Sequence, residues 1–399
     1  MNDPMSPHVV RDQLLLRLTP VAVEEVPLEQ AAGRVLAEPV VADRDSPPHD
    51  VSAMDGYAVK LADLSVLELP VAGEVAMGAV PPQWVEGTAL RITTGACVPE
   101  AADAIVMRED GVERDGRIRL EAPLESMRRG QHIRRRGENL RAGAEVLGAG
   151  YLVRSPVAGA LATFGMARVR VHRRVRVALV VTGNEILPPS ASPTPWQIRD
   201  ANGPALEALL DGLPWVKRVP TTHAADDRAT IESAIRQGFE VADLVLVTGG
   251  VSAGVHDYVP EATRRAGGEV LFHRLPIRPG KPLLGAMGPN GQGLLGLPGN
   301  PVSVLIVARW FGVAALRRLA GLGPEPEAEQ VEVLGEEGKR IKLWWFRPVR
   351  RSSAGRATLV PNRGSGDIVA ASRSDGFVLL PPQAGGPGPW PFTRWHDDQ

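Results

Sequence analysis

The chain has 399 residues, with 45 Lys plus Arg against 46 Asp plus Glu, a formal net charge of −1. So even a balance supplies no global field to draw the protein onto nucleic acid or an anionic membrane, and any basic function must be local. At 44% hydrophobic and 23% charged residues the composition is that of a soluble globular protein, and the length suits two to four domains. Cys97 is the single cysteine, which excludes an intrachain disulfide and a cysteine-based zinc site. Flanked by Ala96 and Val98, it reads as a small buried thiol. The first seventeen residues carry no basic stretch followed by an apolar run, and the longest apolar stretch, 302–319, is broken by Arg309, Arg317 and Arg318. Neither reads as a secretion signal or a membrane span, so the expected location is cytoplasmic.

Residues 9–33 predict a helix and then a second short helix ending near Gly33. From about 40 to 140, short apolar runs at 57–59, 69–72, 89–93 and 104–108 are separated by Gly, Pro and Asp, a β-rich texture. This stretch ends in a basic cluster, Arg128, Arg129, Arg134, Arg135 and Arg136. With no aromatic residues interleaved, the cluster favours a solvated or interdomain ion-pairing face over a nucleic-acid patch. An unbroken apolar run at 175–181 then leads into Thr182-Gly183-Asn184. Residues 204–210 predict a helix capped by Asn202, and 228–238 a helix capped by Asp226. A second buried strand, 242–247, ends in Thr248-Gly249-Gly250. Apolar strands alternating with helices point to a parallel sheet covered on both faces. Asn300 and Pro301 cap and open a long helix ending near Leu319. A linker follows from Gly321. Alternating runs at 330–334, 341–346, 357–361 and 376–380 predict a small all-β module.

Ligands of an open α/β sheet bind beyond the carboxyl ends of its strands. Two such ends carry glycine-bearing polar loops, 181–185 and 247–254, which contain Glu185, Thr248, Gly249, Gly250, Ser252 and Gly254. Glycines let the backbone approach an anion closely, and free N–H groups there bind phosphate. Glu185, Asp226 and Asp257 fall near these loops, and carboxylates beside a phosphate site suit Mg²⁺. Asp226 and Asp257 also read as helix caps, and His256 as a solvated neighbour. Ile277-Arg278-Pro279-Gly280-Lys281-Pro282 places two cations on a stiff turn suited to holding an anion. Leu297-Pro298-Gly299-Asn300-Pro301 is a further rigid loop at a helix start.

Four strings stand in order: Ser52-Ala53-Met54-Asp55-Gly56-Tyr57-Ala58-Val59; Gly249-Gly250-Val251-Ser252-Ala253-Gly254 with Asp257-Tyr258; Pro279-Gly280-Lys281-Pro282; and Gly296-Leu297-Pro298-Gly299-Asn300-Pro301-Val302-Ser303. Through them the chain resembles, over essentially its whole length, the molybdopterin molybdenumtransferases, the family of MoeA and the gephyrin E domain. The resemblance implies a multidomain α/β plus β fold. Its parts are a MogA/MoaB-like three-layer α/β domain (1–22 and 173–322), a small linking domain (23–40 and 141–172), a β-rich inserted domain (41–140) and a C-terminal β-barrel-like domain (325–399). It implies an elongated homodimer with its cleft between the α/β domain and the partner subunit's β-rich domain. The implied reaction takes adenylylated molybdopterin and molybdate to molybdenum cofactor and AMP. Mg²⁺ would sit on Asp257, Asp226 and Glu185, and a molybdopterin adenylyltransferase would be the upstream partner.

Carried over by resemblance, Asp55, Thr94, Glu185, Asp226, Asp257 and Lys281 fall on catalytic positions. Thr248, Gly249, Gly250, Ser252, Gly254, Arg278, Pro298, Asn300, Pro301, Arg347 and Ser365 fall on substrate-binding ones. The chain departs from the family at Arg278, where Lys is frequent, and at Val255-His256, where Glu is usual. Trp344-Trp345-Phe346-Arg347-Pro348 is also unusual. Two other readings start from the same residues: a hydrolase or adenylyltransferase of a related pterin or dinucleotide, and a non-enzymatic gephyrin-like scaffold. The two β modules speak against the first, since an α/β domain alone would suffice. The scarcity of sequence outside the core speaks against the second.

Overall fold

The computed structural model describes residues 6–65, 68–121, 127–252, 257–323, 325–335, 338–353 and 355–396. The chain forms two compact units. One comprises Met1–Glu38, Ala149–Ala158 and Arg168–Gln399, the other Pro39–Gly148 and Gly159–Ala167.

In the first unit, side-chain periodicity decides the architecture. Along strand β1 (Val175–Thr182), Val175, Val177 and Leu179 enter one core and Ala178 and Val180 the other. Successive strand residues point to opposite faces, so a strand apolar on both must be covered on both. β1 pairs in parallel with β2 (Val216–Arg218) and β3 (Thr222–Ala224) along one edge and with β4 (Leu244–Thr248) along the other. The sheet is extended by β5 (Glu269–His273), β6 (Leu284–Met287) and β7 (Gly293–Leu297). β7 runs parallel to β4, whereas β6 is antiparallel to β7 and β5 antiparallel to β6. The centre is therefore parallel, as the apolar runs predict, and one edge is an antiparallel pair.

Helices α1 (Pro7–Arg17) and α2 (Asn202–Asp211) cover one face together with the helical run 301–319. Helices α3 (Arg228–Val241) and α4 (Val259–Arg265) cover the other. The run 301–319 passes from Pro301–Val307 through a π turn, Ala308–Gly312, into Val313–Leu319. It buries Phe311 completely, so the longest apolar stretch is a core element. Among the described residues no helix is long and apolar enough to cross a membrane.

The C-terminal strands β8 (Glu329–Leu334), β9 (Trp344–Ser353), β10 (Arg356–Leu359), β11 (Gly376–Leu380) and β12 (Trp390–Arg394) close a ring in the order β9-β10-β8-β12-β11-β9. Closure leaves the barrel no free edge, which removes the exposed N–H and C=O groups that would invite edge-to-edge pairing. β12 follows a Gly- and Pro-rich stretch and is not among the runs predicted from the sequence. A short strand, Ile277–Arg278, adds in parallel to β9.

The second helix predicted before Gly33 is not formed. Val23–Pro27 is a strand paired with Arg168–His172, and only a 3₁₀ turn, Leu28–Gln30, is helical. A partner about 145 residues away decides this, and no local pattern reports it.

The second unit is the β-rich segment. Its six-stranded sheet contains Gly56–Val59, Glu68–Val75, Ala89–Ile92, Ala104–Met107, Gly111–Arg114 and Arg117–Leu120. Four members of the arginine cluster pair within this unit: Arg129 with Asp103, Arg134 with Glu138, Arg135 with Asp50, and Arg136 with Asp45. The segment does form ion pairs, but these four lie within the β-rich segment and not between domains as expected. Cys97 is half-buried, less enclosed than expected, and desolvation raises its thiol pKa.

Replacing Phe311 with Ala removes a fully buried ring and should destabilise the first unit by about 3–5 kcal/mol. Urea denaturation followed by tryptophan fluorescence measures this. A loss below about 1 kcal/mol would show that the ring does not help to hold this core together.

Candidate functional site

The register of the central strands places the chemistry. Val181 on β1 is opposite Thr248 on β4, and Thr248 is opposite Leu297 on β7. Adjacent strands lie roughly 4.8 Å apart, so the loops that follow them, 183–185, 249–252 and 298–301, emerge side by side. Together they line a cleft of about 420 Å³. Of the sequence-predicted residues, Glu185, Asp226, Gly249, Gly250, Ser252, Asp257, Pro298, Asn300 and Pro301 lie in its wall. Gly254 lies outside the described residues, as do Ala253, Val255 and His256.

The glycine turn is locked from below. Gly249 and Gly250 have φ of 84° and 63°, a region that L side chains adopt only under strain. A Cβ on Gly249 would stand 2.7 Å from Thr182 Oγ1, which itself donates to the Thr248 carbonyl at 2.9 Å. Thr248 is 1% exposed and sits beneath the turn, so it supports the cleft and does not line it. The N–H of Gly249 donates to the Leu297 carbonyl at 3.0 Å, which ties the second loop to the third strand. That amide is committed to the fold, so backbone contacts to an anion fall to the amides after it.

Two helix starts differ from expectation in a way that frees functional groups. Asp227, not Asp226, caps α3, accepting from Thr230 N at 2.9 Å. That hydrogen-bonded helix start lowers the Asp227 pKa, with the Thr230 side chain as the larger cause. Asp226 instead accepts from Asn184 N and donates its own N–H to Asn184 Oδ1, both at 3.1 Å. Asn202 does not cap α2 either. Asp200 accepts from Gly203 N at 2.9 Å, and Asn202 Nδ2 donates to the Gly299 carbonyl at 2.8 Å. Asn184 and Asn202 thus pin cleft loops to one another, a role with no local sequence signal.

Glu185, Asp226 and Asp257 share the cleft, but they do not converge as expected for a metal site. Among the described residues no three His, Cys, Asp or Glu side chains are grouped closely enough to hold an ion. Asp226 is drawn towards Asn184 by the reciprocal bonds, which accounts for its part in this.

The cations are also placed differently. Arg278 and Lys281 are exposed and outside the lining, although Pro282 of the same turn is within it. Arg278 lies over the Trp345 ring at 5.6 Å, and Arg347 over the same ring at 4.2 Å. Half-burial lowers the Arg347 pKa through desolvation. The basic residue in the wall is Arg199, which the sequence reading did not single out; its Nε donates to the Ala191 carbonyl at 3.0 Å. Ser365 lies outside the lining but accepts from Asn300 Nδ2 at 3.0 Å, joining a barrel-side loop to the cleft.

Asp55 and Thr94 belong to the second unit and form a pair there. Asp55 Oδ1 accepts from Thr94 N at 2.7 Å and from Thr94 Oγ1 at 2.8 Å. These bonds, the backbone one foremost, lower the Asp55 pKa. The strand pairing that sets Gly56 opposite both Ile92 and Met107 brings the two residues together. A Cβ at Gly56 would lie 1.9 Å from the Val106 carbonyl oxygen, which is why this string needs glycine directly after Asp55.

A larger cavity, about 700 Å³, lies elsewhere in the first unit, where Arg11, Arg309 and Arg394 meet Glu325 and Glu329. Among the described residues no glycine lines it, so it lacks the glycine turn that the strand-end cleft offers to an anion.

Two family models match the chain. One, described as the MoeA N-terminal region (domain I and II), covers residues 7–165. The other, described as a probable molybdopterin binding domain, covers residues 178–318. A protein from Synechococcus elongatus named molybdopterin molybdenumtransferase is 39% identical over 375 residues, 91% of each chain. A Staphylococcus aureus protein of the same name is 31% identical over 368 residues, 89% of this chain and 86% of that one. A solved structure of a molybdopterin biosynthesis MoeA protein from Pyrococcus horikoshii superposes with a TM-score of 0.81 at 25% identity, covering 97% of this chain and 98% of that one.

Gly249→Ala should cost about 1–3 kcal/mol from backbone strain alone, with a further steric cost against Thr182. Denaturation measures the loss, and a neutral substitution would refute the locked turn. Thr94→Ala should raise the Asp55 pKa towards its ordinary value while the backbone bond remains. The depressed carboxylate stabilises the fold above its ordinary pKa range and loses that contribution as pH falls through its lowered value, so the variant should have less of this stability to lose and should finish losing it at a higher pH. Carboxylate titration by NMR reads the shift, and an unchanged Asp55 pKa would contradict the pairing.

Proposed function

Since the chain belongs to the molybdopterin molybdenumtransferase family, we propose that it inserts molybdate into adenylylated molybdopterin, releasing AMP and forming molybdenum cofactor. The observation that carries this reading is the strand-end cleft, where a glycine turn, a rigid Pro-Gly-Asn-Pro loop and three carboxylates share one wall. The substrate joins a phosphorylated pterin to AMP and is rich in negative charge, so it needs donors and compensating cations. Backbone amides after Gly249 and the Arg199 guanidinium would hold the phosphates. Arg278, Lys281 and Arg347 would neutralise phosphate and molybdate oxygens from the adjoining turn and barrel. Catalysis on this view is positioning plus charge stabilisation.

The oxygen donor set of Glu185, Asp226 and Asp257 fits Mg²⁺ only in partnership with substrate. Mg²⁺ is commonly held by one or two carboxylates together with waters and phosphate oxygens, and such a site needs no preformed group of three. Asp257 and Glu185 would be its protein ligands, and the ion would polarise the phosphoanhydride. Asp55 and Thr94 would complete the site from a second subunit of a homodimer. The four-domain division, an upstream molybdopterin adenylyltransferase and a cytoplasmic location belong to the same reading.

AMP release from adenylylated molybdopterin should depend on molybdate, and Asp257→Ala should slow it by ~10²–10³. Chromatographic assay of AMP with and without molybdate measures both. Release that ignores molybdate would make the protein a pterin-nucleotide hydrolase, and a full-rate Asp257→Ala enzyme would falsify the role given to that carboxylate.

A further inference from the structure

Trp345 is the centre of a stack with Arg278 and Arg347, and the reading above uses the two arginines but not the ring between them. Trp345 and Arg347 are two residues apart on β9, so their side chains leave the same face of the strand. Arg278 is the direct parallel-sheet partner of Trp345. One indole therefore meets two guanidinium groups, one along its own strand at 4.2 Å and one across the pairing at 5.6 Å. The indole is itself fixed: it packs against the barrel core, and Leu380 on β11 stands opposite it. The same face of β9 continues inward to Val349, and that of β11 to Val378, both buried in this core. The stack thus sits at the mouth of the barrel, on a frame that closure makes stiff.

We propose that Trp345 is a positioning residue that fixes the spacing and orientation of Arg278 and Arg347, and so sets the affinity of this face for a tetrahedral oxyanion. The proposal rests on the functional reading above, in which that oxyanion is molybdate. Two guanidinium groups held near each other repel, and the negative face of an indole offsets part of that repulsion. A planar guanidinium stacks on a ring in a way an ammonium does not, which gives the Arg at 278 a partner that a Lys would use less well. Side chains stacked before the anion arrives lose less rotamer freedom on binding it. Leucine at 345 would keep an apolar side chain against the barrel core and offer no such face.

The test compares full-length wild type, W345L and W345F for molybdate binding by equilibrium dialysis, and for molybdate-dependent AMP release. W345L should weaken molybdate binding about tenfold, W345F should retain most of the affinity, and kcat at saturating molybdate should stay near wild type in both. Thermal midpoints confirm that each variant is folded, and W345F decides the question if W345L is not. Wild-type affinity in W345L, or a loss in W345F as large as that in W345L, overturns the proposal. The functional reading fails separately, if wild-type AMP release is independent of molybdate; the binding comparison still decides the role of Trp345.

Discussion

The parallel register of β1, β4 and β7 is the constraint on which the site depends. Each strand is apolar on both faces, and each face is packed by helices. Sliding one strand by a single residue would exchange its two faces, so burial fixes the register firmly. With Val181, Thr248 and Leu297 held in one row, the three following loops have to leave the sheet together. The cleft is in this sense a by-product of core packing. The bonds from Gly249 N to Leu297 and from Asn202 to Gly299 then set the loops against one another.

A protein with a net charge of −1 handles an anionic substrate only by local sorting of charge. Carboxylates line one wall of the cleft, while the guanidinium groups of Arg278 and Arg347 are gathered on an aromatic ring at the barrel. Among the described residues, Arg199 alone of the basic ones shares the cleft lining with the carboxylates. In the second unit, Arg129, Arg134, Arg135 and Arg136 are each matched by a nearby acid. Charge density in the sequence is therefore a poor guide to where an anion binds here.

The sequence reveals what is periodic or sterically demanding. The buried runs of β1 and β4, the helix opened by Pro301 and the four strings with special glycines are all visible in it, because apolar alternation and positive φ leave marks on residue choice. Less is visible where neighbouring residues compete for one job. Asp226 and Asp227 are both good caps, and only the local backbone decides that Asp227 takes the helix and Asp226 turns to Asn184. Val23–Pro27 and Trp390–Arg394 become strands through partners distant in sequence, and Arg199 enters the wall on a short strand, Ile198–Arg199, that pairs with Ile186–Leu187. Such long-range decisions have no periodic signature.

The most direct check is a crystal structure of the full-length protein with AMP bound. Phosphate oxygens within hydrogen-bonding distance of the amides that follow Gly249, with Asp257 and Asn300 at the same cleft, are the expected result. Nucleotide density seated instead beside Arg309 and Glu325 in the larger cavity, with the strand-end loops untouched, would contradict the account.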